Sequence, residues 1–296
     1  MSGLDAEYGP GAEPPEDDAS DRVNDWWDEA LVDAVLAEPV VYAIPMRRRF
    51  RRITVREGVL LRGPRGWGEF CPFDDYDDET AGTWLETALE ACCAGWPRPV
   101  RDRVPVNCIV PAVDPATAHD IVLASGCRTA KVKVADHPDA LAEDLARVEA
   151  VRAALGPSGR IRVDANAAWD VDEAVRRLTL LDRAASGLEY AEQPCRGLTD
   201  LVEVRRRSGV PVAADESIRL AADPLRVLLH EAADVAVVKC TPLGGVRRSL
   251  AVAGSTGLPC VVSSALETSV GLAAQVALAG ALPELDHACG LGTLAL

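Results

Sequence analysis

The chain has 296 residues, 48% hydrophobic and 26% charged, so it can bury a sizeable core as one large domain or two and has the make-up of an ordinary globular protein. Its 46 acidic and 31 basic residues give a formal net charge of −15, which argues against a nucleic-acid or anionic-membrane partner. No run of about 18 apolar residues is present and the N-terminus is acidic rather than signal-like, so a cytoplasmic protein is expected. The nine cysteines fall in apolar stretches without C-x-x-C spacing, which reads as buried thiols rather than zinc ligands or disulfides.

Residues 1–22 are acidic, rich in Pro and Gly and nearly free of large apolar groups, so they form an expected disordered segment. A helix is expected over 25–37, with Asn24 as its cap and Trp27, Leu31 and Val35 on one stripe; Pro39 stops it. Two strands follow at 40–44 and 52–61, linked by the basic run 46–52, and a third lies at 67–70 after the turn at 63–66. The five arginines of that run read either as a solvated hairpin tip or as a rim that attracts an anionic substrate. A helix over 80–93 completes a small α+β unit, and the capping domain is bounded at 23–100.

From residue 101 the pattern becomes strict strand–helix alternation, the signature of a TIM-type (β/α) barrel spanning 101–296. Strands are expected at 104–110, 130–134, 161–163, 188–191, 210–214, 235–239, 260–263 and 288–291. Helices are expected at 115–124, 138–155, 171–182, 198–207, 223–230, 245–255 and 269–281. No G-x-G-x-x-G loop follows the first strand, which disfavours an open doubly wound sheet. An eighth helix or returning tail is expected after Gly290, and the sequence ends six residues later.

Within the barrel five strands end in charged residues: Lys131-Val132-Lys133, Arg162-Val163-Asp164-Ala165-Asn166, Glu192-Gln193-Pro194, Asp215-Glu216-Ser217 and Lys239. The steps from Lys133 to Asp164, Glu192, Asp215 and Lys239 are 31, 28, 23 and 24 residues, the length of a strand–helix repeat. In a parallel barrel such ends converge on one mouth. Lys131 and Lys133 share a strand face about 6.6 Å apart. At an effective dielectric of about 20 they repel by roughly 2.5 kcal/mol, which would push one lysine toward a pKa of about 8 and make it a usable base. The competing reading is an exposed strand edge with two solvated lysines.

Asp164, Glu192 and Asp215 on consecutive strands suit a hard cation, Mg2+ with Mn2+ possible; each taken singly reads as a helix cap. Asn166 shares the face of Asp164, Gln193-Pro194 turns the chain away after Glu192, and Arg162 faces the interior to pair with a carboxylate lower down. Lys239, across the barrel from Lys133, brackets the metal from the other side. The set supports proton abstraction beside a carboxylate held by a metal.

These motifs resemble the enolase superfamily, in the muconate-lactonising subgroup marked by K-x-K on the second strand and lysine on the sixth. Within it the chain most resembles the dehydratases of menaquinone biosynthesis. The further features are Ser263-Ser264-Ala265-Leu266-Glu267-Thr268-Ser269-Val270-Gly271, the ending 290–294, and in the cap Arg49-Phe50-Arg51-Arg52-Ile53-Thr54 and Gly66-Trp67-Gly68-Glu69-Phe70. The resemblance implies Mg2+ held by Asp164, Glu192 and Asp215, and Lys133 as base and then acid in a syn-dehydration that forms an aromatic ring. It also implies Lys239 as electrostatic stabiliser of the enediolate and Lys131 as the residue that tunes Lys133. The substrate would be a small anionic carboxylate contacted by Ser263 and Ser264, whose plainer reading is a helix-entry loop. Two departures from the family pattern stand out: the short ending, and Arg52 where a small capping-loop residue is expected. Two other readings use the same residues: an N-acylamino acid racemase or dipeptide epimerase with both lysines carrying protons, and a non-catalytic barrel serving as a binding module.

Overall fold

The structure is a computed structural model that describes residues 28–50, 53–219 and 231–296. The expected disordered segment 1–22, the Asn24 cap with Trp27, the Arg51-Arg52 end of the basic run and the helix at 223–230 lie outside these residues. Among those described, the first helix, α1 (Glu29–Leu36), starts later than expected. Asp28 caps it, its carboxylate accepting the N–H groups of Ala30 at 3.0 Å and Leu31 at 3.4 Å. Val32 and Val35 are its buried side chains.

Strands β1 (Val40–Phe50), β2 (Ile53–Gly63) and β3 (Gly66–Phe70) form an antiparallel sheet in that order. The basic run is therefore strand rather than linker up to Phe50, which pairs with Ile53. Pro45 cannot donate to the ladder, and the register shifts between it and Phe50. Strand structure then resumes because Arg47, Arg48 and Arg49 are exposed while Met46 and Phe50 are half-buried, so charge costs nothing on that edge. Helix α2 (Asp78–Leu89), capped by Asp77 on the Thr80 N–H at 2.9 Å, runs into a single π-helical turn at Glu90–Ala94. It buries Trp84, Ala88 and Leu89.

Seven parallel strands follow: β4 (Cys108–Val110), β5 (Thr129–Lys133), β6 (Arg160–Asp164), β7 (Tyr190–Glu192), β8 (Val212–Ala214), β9 (Val235–Val238) and β10 (Cys260–Val262), each paired with its neighbours in sequence order. The expected eighth strand at 288–291 is only a pair of single bridges, Val106 to Cys289 and Ser263 to Gly290. These bridges bond to both edge strands: Asn107 N–H donates to Cys289 O at 2.9 Å and Gly290 N–H to Val262 O at 2.8 Å. They close the sheet into a barrel, the architecture the alternation predicts.

The helices on its outside are α3 (Pro115–Ser125), α4 (Leu141–Leu155), α5 (Val171–Ala185), α6 (Leu198–Ser208), α9 (Val246–Thr256) and α10 (Ser269–Ala281). Two four-residue turns, α7 (Glu216–Arg219) and α8 (Cys240–Leu243), follow β8 and β9 directly and were not legible as elements. Side chains alternate along every strand. Ala130, Val132, Ile161, Val163, Ala191, Val212, Ala214, Ala236, Val238 and Val262 face the helices and join one large core with Leu178, Leu181, Leu201 and Leu278. The inward row holds a smaller apolar group of Tyr190, Ala213, Val235, Val237 and Val261, and above it the charged strand ends.

The small sheet and α2 are fastened to the barrel by buried acids. Glu69 accepts the N–H groups of Thr268 at 2.9 Å and Gly271 at 2.8 Å, capping α10 from another layer of the molecule. Glu90 accepts the Val246 N–H at 2.5 Å at the start of α9, where Gly245, with φ 122°, leaves room that a Cβ would fill. Arg56 donates to Leu266 O at 2.9 Å, tying β2 to the loop beyond β10.

Candidate active site

Because the inward row of each strand has period two, Lys131 and Lys133, Asp164, Glu192, Asp215, Lys239 and Ser263 all reach the same end of the barrel. The structure brings these sequence-predicted residues together. Asp164, Glu192 and Asp215 are each 1% exposed, and Lys131 and Lys239 are each 5% exposed, which removes the reading of a solvated strand edge.

Lys131 Nζ donates to Glu192 Oε1 at 2.9 Å and lies 3.1 Å from Asp164 Oδ2. Lys133 Nζ donates to the same Asp164 oxygen at 2.5 Å and to Asn166 Oδ1 at 2.8 Å. Asp164 is thus the joint through which one lysine feels the other. Lys239 Nζ donates to Asp215 Oδ2 at 2.6 Å. Asn166, at φ 47°, points its amide nitrogen to Glu216 Oε1 at 3.1 Å and its backbone N–H to Asp164 Oδ1 at 3.0 Å. Gln193, fully buried at φ 39°, accepts the N–H groups of Asp215 at 2.9 Å and Ser217 at 3.1 Å, which locks the β8 end to the β7 end.

Arg162 does not reach the mouth. It lies two residues below Asp164 and pairs with Glu189 at 2.5 Å, with its guanidinium 4.6 Å from the Tyr190 ring centre. Ser264 Oγ is 2.8 Å from Thr293 Oγ1, and Ser263 Oγ donates to Gly290 O at 3.5 Å. Both serines line a small cavity with Lys131, Lys133, Lys239, Phe50 and Phe73.

The electrostatics at the mouth are set by the acids as well as by the lysines. Burial alone would lower the Lys131 ammonium, but the Glu192 and Asp164 carboxylates outweigh it and hold its pKa above the usual lysine range. These acids, at 2.9 and 3.1 Å, sit closer to Lys131 than the spacing of about 6.6 Å between the two lysines along the strand. Burial, followed by the charge of Asp164, pushes the Glu192 carboxyl upward against the pull of Lys131.

Among the described residues no three acidic, His or Cys side chains stand ready-made as a metal cluster, because each carboxylate is turned to an ammonium. The donor chemistry nevertheless suits a hard divalent cation. Three buried carboxylates from consecutive strands offer oxygen only, and a cation among them would offset the burial and the Asp164 charge that push Glu192 upward.

Several residues of the site were missed in the sequence. Phe50, within the basic run, has its ring centre 5.1 Å from the Lys133 ammonium, and Phe73 lines the same cavity. A single aromatic in an arginine run gives no periodic signal. Glu267 accepts the Ala265 N–H at 2.7 Å and a Gln275 amide hydrogen bond at 2.8 Å, which braces the wall beside Ser264. In the sequence it stands only as one member of the motif at 263–271, with no role of its own.

Residues 115–294 match the enolase C-terminal domain-like family and residues 41–92 the enolase N-terminal domain-like family. The o-succinylbenzoate synthase of Thermobifida fusca (strain YX) is 63% identical over 255 residues, covering 86% of this chain and 80% of that one. The chain belongs to the enolase superfamily, among its o-succinylbenzoate synthases. Solved structures of the superfamily share the fold. A muconate lactonizing enzyme from Pseudomonas fluorescens complexed with muconolactone superposes with a TM-score of 0.75 at 24% identity, covering 88% of both chains. A dipeptide epimerase from Enterococcus faecalis V583, complexed with Mg and the dipeptide L-Leu-L-Tyr, gives 0.72 at 21% identity, covering 86% of this chain and 88% of the other. This membership carries the expected fold and subgroup. Among the described residues no helix is long and apolar enough to cross a membrane.

Proposed function

We infer that the protein catalyses the syn-dehydration of 2-succinyl-6-hydroxy-2,4-cyclohexadiene-1-carboxylate to 2-succinylbenzoate, a carbon–oxygen lyase reaction of menaquinone biosynthesis. The observation that carries this reading is the 63% identity to an o-succinylbenzoate synthase over most of the chain, joined to one mostly buried lysine, Lys133, beside a buried carboxylate cluster. Lys133 Nζ takes the proton α to the substrate carboxylate, and the ammonium so formed returns a proton to the departing hydroxyl on the same face. Lys131 acts on Lys133 through the shared Asp164 oxygen. Lys239 faces the developing negative charge from the other side of the mouth, and Ser263 and Ser264 line the substrate's position. Asp164, Glu192 and Asp215 would hold Mg2+, with Mn2+ an alternative. When bound, the ion supplies Lewis-acid stabilisation of the negative charge on the substrate carboxylate.

Phe50 and Phe73 line the same cavity and would shield the substrate ring from water. The test is incubation of the purified protein with the cyclohexadiene hydroxy acid and Mg2+, following the ultraviolet absorbance of the aromatic product. Turnover that EDTA abolishes and Mg2+ restores is the expected result. Full activity in EDTA overturns the metal assignment, and no aromatic product at all overturns the reaction. The epimerase reading rests on the same two lysines, Lys133 and Lys239, facing each other across the mouth.

A further inference from the structure

The backbone that carries Lys133 leaves the sheet at that residue. Pairing to β4 ends at Val132 and pairing to β6 ends at Lys133 itself, after which one bond remains, from the Val134 N–H to Asp164 O at 3.1 Å. The next alanine, Ala135, sits at φ 60°, a left-handed conformation that a side chain disfavours unless its surroundings impose it. What imposes it is a buried ion pair on α4. Arg147 Nη1 donates to the carbonyl oxygen of Lys133 at 3.0 Å and to Asp144 Oδ1 at 2.7 Å. Asp144 Oδ2 accepts the Ala135 N–H at 2.9 Å. Arg147 Nε donates to Val113 O at 2.7 Å, so the same guanidinium also fixes the loop after β4.

We propose that Asp144 and Arg147 are positioning residues for the Lys133 base: they replace the missing sheet ladder just beyond it and so fix where its ammonium stands. The proposal rests on the reading of Lys133 as the base. Neither residue lines the cavities at the mouth, where Val113, Lys133 and Ala135 do, so the pair acts on the strand end and not on substrate. The Arg147 and Asp144 side chains are 3% and 0% exposed. A buried ion pair is poor value for stability alone, since apolar residues of similar size often serve as well or better. The three bonds to two separate backbone segments give the pair a use that apolar residues cannot reproduce: they set the position of the strand end that carries Lys133.

The experiment compares the full-length protein with Mg2+ and the cyclohexadiene hydroxy acid across four variants. In Asp144→Leu/Arg147→Met both charges are replaced by apolar groups, so no buried charge is orphaned. Arg147→Lys keeps a cation beside Asp144 but cannot reach both the Val113 and Lys133 carbonyls. Leu181→Ala, a core truncation on α5, supplies the purely structural control, and Lys133→Ala tests the base itself.

The expected result is a fall in kcat of about 30-fold in the double variant and about tenfold in Arg147→Lys, with KM within about twofold of wild type, the scale that a base displaced by about 1 Å produces. The α-deuterium isotope effect on kcat should rise in both, because proton removal becomes slower. Leu181→Ala should lower Tm and leave kcat and the isotope effect unchanged below its transition. Wild-type kcat in the two variants, with Lys133→Ala inactive, overturns the positioning role and leaves the base assignment intact. A rise in KM matching the fall in kcat overturns it in favour of substrate contact. An active Lys133→Ala overturns the base and, with it, this proposal. If the double variant does not fold, Arg147→Lys decides the matter by the same two criteria.

Discussion

The two ends of the barrel use similar residues to opposite effect. At the floor, the carboxylate of Glu189 is met by Arg162 at 2.5 Å, Arg160 at 3.0 Å and His287 at 3.0 Å, and Arg162 also donates to Ala288 O at 2.6 Å and Asn107 Oδ1 at 3.2 Å. Two arginines and an imidazole surround a single acid, and although burial works against it, the His287 and Arg162 bonds hold its pKa at about 2. At the mouth, three acids and three lysines share a buried layer, and Glu192 is pushed the other way. Arg162 and Asp164 are two residues apart on one inward row of β6, so the same strand supplies both ends. A charge group closed on itself stabilises; one that keeps like charges crowded stores a preference for a cation and for an anionic substrate.

The sharpest way to break this contrast is to neutralise an acid at the mouth. Asp164→Asn, Glu192→Gln and Asp215→Asn should each abolish turnover and weaken Mg2+ binding at least about tenfold by titration calorimetry, with the circular dichroism of the fold retained. Retained turnover in any of them would remove that residue from the metal set. At the floor the effect should reverse. Arg162→Met strips the main partner from a buried acid and should cost on the order of 3 kcal/mol in urea unfolding, with kcat unchanged at a temperature where the variant is folded.

A pH series sharpens the floor further. The folded Glu189 carboxyl titrates at about 2 against an ordinary value of 4.5. Its contribution is therefore complete above pH 4.5 and is lost as pH falls from there toward about 2. Glu189→Gln should flatten the stability profile across that window and leave the profile above it parallel to wild type. The smallest effect belongs to the exposed ion pair between Arg49 and Asp136 at 3.7 Å, whose side chains are 61% and 44% exposed. Asp136→Asn should change stability by less than about 1 kcal/mol, and less still at high salt.

The same contrast explains what the sequence made legible. A row of β-branched and small residues ending in a charge marks a barrel strand and its mouth, so Lys131, Lys133, Asp164, Glu192, Asp215 and Lys239 were readable from spacing alone. The period-two alternation then placed Arg162 on the inner face, though not its partner, since Glu189 lies outside the short strand β7 that follows it. Glu69 and Glu90 were not readable as helix caps because the helices they cap, α10 and α9, lie roughly 200 and 156 residues away in sequence. The basic run misled because arginines resemble a loop by composition, whereas an exposed edge accepts them within a strand. The carboxylates that raise Lys131 were not legible as its partners because only the fold brings Asp164 and Glu192 to it.

The most direct measurement of the central claim, a single base at Lys133 working on one face, is α-hydrogen exchange with solvent deuterium followed by NMR. Wild type, Lys133→Ala and Lys239→Arg are each given the cyclohexadiene hydroxy acid and both enantiomers of an N-acylamino acid. The account predicts that Lys133→Ala loses both dehydration and exchange on the cyclohexadiene acid, while Lys239→Arg slows turnover strongly without opening a new exchange route. Enantiomer-specific exchange of the N-acylamino acid, with one enantiomer lost in each lysine variant and no dehydration of the cyclohexadiene acid by wild type, would contradict it and make the protein a two-base isomerase.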